Sequence, residues 1–543
     1  MSTAQLVLKS NSVFTGDSAG APFAGGVAIA DGRILACGDD AALEPFIGPD
    51  TEVRSYGDKL IMPGFHDAHL HIHMAALMFS PFMMMIGENH SEMDCVEQVK
   101  PFAETRPHGS WIVTCGWYLP FWDTQKLPTK ESLDEAFPYW PVCMSSGDGH
   151  TAWLNSLAME RLGITDETPD PVGGEFVRDA EGHHTGVAKE MAGTKVYMQV
   201  LNEFSDEEVR AAYDGLFADF RRCGVTSVCD MGATSLPGAD LLHPEILQEY
   251  LDADKLTCRV NLFPTMTKTM ERPKAMRETY THPRLSWRGV KQFLDGVSST
   301  HTAYLTEPYA NAYFPGDRGT LTVAEDEMDE LVYLANKNGM SVRIHAIGDG
   351  AIRAGLNSFE RAQKQLGPDP AIRNSLEHIE NILEPDIKRF AELGAVASMQ
   401  PAHSMIDPAG IEADLGLERT KLMWAFRDIL DTGAHMAFGT DIPTAGLDPI
   451  HNVSYAVTRS NLEGKPEGGW EYHQHIEVAE ALAAYTSGSA YVAHCEAELG
   501  TLETGKLADI VVIDRDLFAI PAAEIREATV AATLIDGEFV YEA

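Results

Sequence analysis

Two histidines two residues apart, His69 and His71, close the short apolar run Pro63-Gly64-Phe65-His66-Asp67-Ala68-His69-Leu70-His71. Side chains alternate between the two faces of a strand, so both imidazoles point the same way. Two ring nitrogens converging on one point can hold a divalent metal such as zinc. Alone, the pair reads first as an ordinary solvated loop feature, and its meaning depends on what else the chain brings to the same place.

Other elements of the chain suggest company for the pair. β-Prone runs recur at residues 225–230, 258–263, 290–295, 341–346, 374–378, 395–400 and 436–441, and helix-like stretches such as 325–338 and 351–366 lie between them. Strands alternating with helices are the pattern of parallel βαβ units. With the opening strand these runs make eight, which predicts an α/β fold of the (β/α)8, TIM-like barrel type. Five of the strands carry a metal-ligating or acid–base group at the carboxyl end: His69 with His71, Lys291, His345, His378 and Asp441. Barrel enzymes keep their catalytic residues at that end.

Four neutral imidazoles and one carboxylate could serve two zinc ions, given a further bridging anion to balance charge. Lys291 has two readings. As an ammonium it would pair with Asp295 or another acid inside the fold. Alternatively, burial depresses a lysine's pKa, and the neutral amine can capture carbon dioxide to become a carbamate, which is a bridging anion.

Both ends of the chain look like β structure, with runs at 6–8, 26–29, 33–36 and 52–54 answered by 509–513, 530–535 and 538–541. Asp31-Gly32 and Asp536-Gly537 are hairpin signals. Neither end has strands enough for a stable sheet alone, so the expectation is one small β-sandwich domain made from residues 1–60 plus 496–543, with the barrel over 61–495. Roughly 150 residues separate the first barrel strand from the second, far beyond an ordinary connection. An inserted subdomain over about 75–205 accounts for them, and its aromatic-rich segment 111–122 could either form its core or favour an apolar substrate through Trp111, Trp117 and Trp122.

Composition narrows the partners. With 81 acidic residues against 41 basic ones, the formal net charge is −40, which argues against nucleic acid or an anionic membrane, since both need basic patches. A small-molecule substrate fits better. Eight cysteines spread along the chain without CxxC spacing resemble the reduced thiols of a cytosolic protein. The first residues lack a signal peptide's basic and apolar regions, and the Met-rich run 74–86 is too short to span a bilayer and contains Pro81. A cytoplasmic protein, with a homodimer as the ordinary oligomeric prior, is the expectation.

The chain resembles the amidohydrolase superfamily, specifically its YtcJ-like branch, in residues 63–71, Val290-Lys291-Gln292-Phe293-Leu294-Asp295-Gly296, His345-Ala346-Ile347-Gly348-Asp349, Glu377-His378 and Gly439-Thr440-Asp441-Ile442-Pro443. Similar segments outside this set are 148–156, 305–309 and 505–510, so the likeness runs over essentially the whole chain. It implies a metal-dependent hydrolase, with a barrel and a small β domain, that acts on amide-type C–N bonds in small molecules, zinc being the expected cofactor and another divalent metal the alternative. By resemblance, His69, His71 and Asp441 would hold one Zn2+, His345 and His378 a second, and carboxylated Lys291 would bridge them. A hydroxide activated by the metals would attack, with Asp441 as general base. A branch with a single occupied metal site is a variant of this picture.

Weaker candidates surround the set. His150 and Asn155 in the insertion, and His403 beyond the seventh strand, resemble substrate-binding positions, although a structural bond for His150 is an equal reading. His66 should face away from the metals, His73 should lie past the strand end, and His473 with His475 should be surface residues. At His301 the commoner form of the branch has an arginine nearby, which leaves substrate recognition open. Two other functions compete with amide hydrolysis: ester or carbamate hydrolysis on the same site, and a non-catalytic binding protein that retains the barrel. The latter should have lost a ligand, and none is missing.

Overall fold

The computed structural model describes residues 3–147, 149–171, 173–234 and 240–543; Asp148, which opens one of the segments of resemblance, lies outside them. It has an α/β fold. The chain divides into two compact units, one taking the residues up to His71 and again from Phe217 onward, the other Ile72–Leu216.

In the first unit both chain ends share a sheet of eight strands. Glu538–Glu542, Val530–Ile535, Ile510–Ile513, Leu60–Pro63, Leu6–Val13, Phe23–Ala30 and Arg33–Gly38 follow one another across it, and Glu52–Ser55 pairs in parallel with Leu6–Val13. These strands form one hydrogen-bonded sheet that branches at Leu6–Val13. Its two tight turns have the backbone that Asp-Gly favours: Asp31 and Gly32 lie at φ 49° and 73°, Asp536 and Gly537 at 51° and 74°, the left-handed pair of a type I′ hairpin. Leu8, Val27, Ile29, Ile61, Ile510, Val512 and Leu534 pack one buried face.

Two mainly parallel sheets make up the rest of this unit. One joins Phe65–Leu70, Val225–Met231, Arg259–Phe263 and Leu285–Trp287, with Thr281–His282 as an antiparallel edge. The other joins Val290–Phe293, Val342–Ala346, Ser375–His378, Val396–Met399 and Met436–Phe438. Nearly every residue of these strands is buried, as parallel strands covered on both faces must be. An isolated bridge pairs Thr265 with Lys291. On the far side, Asp441 N donates to His69 O at 2.7 Å and His71 N to Ile442 O at 3.1 Å. The helices Glu325–Lys337 and Asp349–Leu366 fall where the periodicity predicts them. Leu285–Trp287, at three residues, is too short to register as a run in the sequence.

The second unit is built on a six-stranded sheet in the order Gly174–Arg178, His184–Glu190, Thr151–Leu154, Val142–Ser146, Ile112–Trp117 and Met83–Met85. Trp117, Trp122 and Trp153 are buried together in its core. Their indole N–H groups donate to Met144 O at 2.9 Å, Asn89 Oδ1 at 2.7 Å and Thr129 O at 2.9 Å. Trp111 is buried as well. The aromatic segment is thus subdomain core. Among the described residues no helix is long and apolar enough to cross a membrane, and no disulfide joins the cysteines, six of which are buried.

A buried charge cluster ties the terminal sheet to the parallel strands. Arg259 donates to both oxygens of Asp509, at 2.7 and 2.9 Å, and also to Asp536, which Arg284 grips at 2.8 Å. Arg259 and Asp509 side chains are each 3% exposed. Replacing one partner of such a pair strands the other charge away from water. Asp509→Ala should lower the unfolding free energy by about 3 kcal/mol, read from the denaturant midpoint; a change below about 0.5 kcal/mol, the ordinary scale of a surface substitution, contradicts the assignment.

Candidate metal centre

His69 sits at the end of a strand whose neighbours dictate its chemistry. Its Nδ1 lies 2.7 Å from Glu377 Oε2, and Glu377 is itself held by Arg343, at 2.8 Å on Oε1 and 3.0 Å on Oε2, and by Ser375 Oγ at 2.7 Å. Arg343 and Glu377 are wholly buried. Burial alone would raise the Glu377 carboxyl, but Arg343 and His69 hold it well below the usual carboxylate range. An ionised carboxylate only accepts hydrogen bonds. His69 must therefore carry its proton on Nδ1, and its Nε2 lone pair faces the site.

The same constraint acts on two more rings. His71 Nδ1 meets the Met231 carbonyl at 2.8 Å, and His345 Nε2 meets the Gly296 carbonyl at 3.1 Å. A carbonyl accepts only, so the lone pair falls on Nε2 of His71 and on Nδ1 of His345. Fixing the outer nitrogen of a ligating histidine in this way is how proteins orient metal ligands. Burial also pushes His69 down to about 4 and His345 to about 3, and takes His378 well below its ordinary value. These rings are neutral at physiological pH, the form a metal takes.

Two strained turns bring His378 and Asp441 to the same place. Strand alternation would send Glu377 and His378 to opposite faces, yet both reach His69, whose ring centroid is 4.9 Å from that of His378. The backbone makes this possible by turning left-handed at His378 and Ile379, φ 74° and 51°. Asp441 is left-handed too, at 56°. Non-glycine residues there cost of order 1–3 kcal/mol each and persist where surrounding structure over-determines them. For Asp441 that structure is Asp67, a buried carboxylate that accepts from His69 N at 3.0 Å and from both the N–H and the hydroxyl of Thr440. Gly439 lets the two strands approach so closely: a Cβ there would lie 2.4 Å from His69 N.

The result is a group of donors around one carboxylate. Asp441 Oδ1 is 3.2 Å from His71 Nε2 and 3.6 Å from His69 Nε2. It is buried, and among the described residues it has no hydrogen-bonding partner. Two imidazole nitrogens and a carboxylate oxygen converging at these separations suit a zinc-like cation, whose bonds of about 2.0–2.2 Å place tetrahedral ligands about 3.3 Å apart. Lys291 is fully buried, with Nζ 3.4 Å from His69 Nε2. Burial pulls its ammonium down from 10.5 to about 8. The salt bridge with Asp295 does not form: that carboxylate accepts from the backbone N–H groups of Tyr304, Ile347 and Gly348 at 2.8–3.0 Å. His345 meets His378 edge to face, ring centroids 4.4 Å apart.

The remaining candidates divide. His403 is buried beside Asp441, its ring parallel to that of His378 at 5.8 Å. His150 belongs to the second unit, where Nδ1 meets Glu190 Oε2 at 2.8 Å. Asn155 is a correction to the expected substrate contact. It caps the helix Ser156–Leu162, with Oδ1 accepting from Ala158 N and Val142 N and Nδ2 donating to Trp140 O. Its amide is spent on local backbone. His66 packs against Cys229 and Asn261, His73 binds Tyr213 and Leu201, His473 is exposed and His475 half-buried. Glu377, Arg343 and Asp67 are the members of the site whose roles the sequence did not suggest. Their signal was there: charged residues inside otherwise apolar buried strands must be paired.

Glu377→Gln keeps the shape but removes the charge that sets the His69 tautomer. Divalent-metal affinity should fall about 10–100-fold in a chelator competition, and an affinity unchanged within twofold contradicts this role.

Comparisons with known proteins show the family. A model of the amidohydrolase family matches residues 56–541. The chain is 32% identical to protein LONG AFTER FAR-RED 3 of Arabidopsis thaliana, over 99% of this chain and 92% of that one. It is 27% identical both to the putative amidohydrolase YtcJ of Bacillus subtilis (95% and 96% covered) and to the N-substituted formamide deformylase of Arthrobacter pascens (95% and 94%). An uncharacterized metal-dependent hydrolase from Pyrococcus horikoshii has a similar structure, with a TM-score of 0.77, 26% identity, and 95% of this chain and 99% of that chain covered. With the family model spanning nearly its whole length, this chain belongs to the amidohydrolase family.

Proposed function

We propose that the protein hydrolyses an amide-type C–N bond of a small organic molecule, with Asp441 as general base and N-formyl amides as the first substrate class to try. As an amidohydrolase it is a metal-dependent hydrolase acting on carbon–nitrogen bonds. The observation that carries the reading is the convergence of His69 Nε2 and His71 Nε2 on Asp441 Oδ1, each ring held by an acceptor on its other nitrogen. The similarity to a formamide deformylase supports the choice of substrate.

His69, His71 and Asp441 would hold one divalent cation, zinc by preference for nitrogen and carboxylate donors. His345 and His378 would serve a second, with Lys291 as a carbamate between them. Lys291 suits this because a buried amine pulled down to about 8 has a neutral fraction near pH 7 that can add to carbon dioxide, forming an N–C bond and releasing a proton. Cations in these positions supply Lewis acidity toward the substrate carbonyl and acidify water. Asp441 accepts the proton of the attacking water and returns it to the departing nitrogen, so that the amine leaves neutral. Its backbone bond to His69 O and the Asp67–Thr440 contact keep the carboxylate aimed at one point through both transfers. Asp67 thus acts as a positioning residue.

The same reading takes the two parallel sheets as one (β/α)8 barrel, supported by the Thr265–Lys291 bridge on one side and the Asp441–His69 backbone bond on the other. His69, His71, His345, His378 and Asp441 then lie at the carboxyl ends of strands or just beyond, where barrel enzymes hold their chemistry, while Lys291 is the second residue of Val290–Phe293 rather than its end as the sequence suggested. Residues 1–60 with 496–543 would be the composite β domain.

With zinc-loaded protein and an N-substituted formamide, Asp441→Asn should lower kcat by about 10²–10⁴-fold at matched metal content. Activity within threefold of the unmodified enzyme rules out Asp441 as the base. Matched amide and ester substrates test the bond: the amide should be turned over, and a protein that cleaves the ester alone contradicts the amide reading.

A further inference from the structure

Asp441 has two oxygens, and they face different partners. Oδ1 is directed at His69 and His71, as described above, while Oδ2 lies 3.6 Å from His403 Nε2 and 4.0 Å from His378 Nδ1. All three side chains are more than nine-tenths buried: His378 is 3% exposed, His403 6% and Asp441 6%. Among the described residues, neither His378 Nδ1 nor His403 Nε2 has a hydrogen-bonding partner. Leaving a buried polar atom unpaired costs about 1–3 kcal/mol, so several such atoms facing one another point to something between them.

The outer face of His403 repeats the arrangement at His69. Its Nδ1 is 3.4 Å from Glu380 Oε1, a carboxylate behind an imidazole, as Glu377 stands behind His69. With the proton drawn to Nδ1, the Nε2 lone pair of His403 looks at the lone pairs of Asp441 Oδ2. Two lone pairs at 3.6 Å repel unless a cation lies between them. The three donor atoms are within 4.8 Å of one another, close to the spacing of about 3.3 Å that tetrahedral zinc imposes.

From this geometry we infer that His403 is a metal ligand, joining His378 at a second divalent cation, and that Asp441 bridges the two ions with one oxygen on each. The inference rests on the metal-hydrolase reading and adds to it: His403 binds cation where the sequence suggested substrate, and the carboxylate of Asp441 is shared. Glu380 is a positioning residue that holds the His403 ring. An imidazolium hydrogen-bonded between Glu380 and Asp441 is the arrangement that competes with it.

Metal binding separates the two without reference to turnover. Metal-free protein is titrated with Co2+ under equilibrium dialysis, and the visible d–d spectrum of the bound ions is recorded. The unmodified chain should take up two equivalents. His403→Gln should bind the second equivalent at least about tenfold more weakly and change the spectrum of that ion alone. Glu380→Gln leaves the ligand in place and should weaken the same equivalent about 10–100-fold, which covers the case in which His403→Gln does not fold. Uptake of a single ion by the unmodified protein, or unaltered binding of both ions by a folded variant, overturns the inference and leaves the hydrolase reading standing. No uptake at all by the unmodified protein contradicts both.

Discussion

The site depends on one buried ionic chain, Arg343 to Glu377 to His69. Two fully buried charges with no path to water are stable only if each is saturated with partners, and here Glu377 accepts four contacts, two from Arg343 and one each from Ser375 and His69. That saturation fixes the carboxylate as an acceptor, the carboxylate fixes the histidine tautomer, and the tautomer decides which nitrogen faces Asp441. An electrostatic requirement in the interior thus becomes a directional one at the group of donors around Asp441. The carbonyls of Met231 and Gly296 do the same for His71 and His345 with less charge at stake.

Position is secured separately from direction. Gly439 permits the strand that carries Asp441 to lie against the strand that carries His69, and Asp67 clamps the two together across 373 residues of sequence. Left-handed backbone at His378, Ile379 and Asp441 then turns side chains inward that regular pleating would send elsewhere. Strain of this kind, concentrated at the carboxyl ends of the strands, is affordable because the regular part of each strand is buried and paired. The burial that neutralises the imidazoles also lowers the Lys291 amine.

Much of this was legible in the sequence. The strands that carry or lead into His69, Lys291, His345, His378 and Asp441 stand out as β-prone runs in an alternating pattern, although Lys291 lies near the start of Val290–Phe293 and not at its end, and the Asp-Gly turns declare the terminal hairpins. Strand register was not legible: Glu377 and Arg343 meet because Val342–Ala346 and Ser375–His378 pair with His345 beside Glu377, which no single-chain pattern states. The same ignorance of packing misled the reading of Asn155, whose helix-capping role was available from the helix-forming run after it. Trp117 and Trp122 illustrate the general case, since an aromatic run is equally apt for a core or a substrate until the sheet beneath it is known. His403 is the intermediate case: its place beyond a strand end was visible, but its apposition to Asp441 needed the left-handed turns.

A zinc ion shared by His69, His71 and Asp441 is the centre of the account. Anomalous scattering at the zinc edge from crystals of zinc-loaded protein tests it directly. The account predicts a peak within about 2.0–2.2 Å of His69 Nε2, His71 Nε2 and an oxygen of Asp441. Zinc-saturated crystals with no peak among these three residues would contradict it.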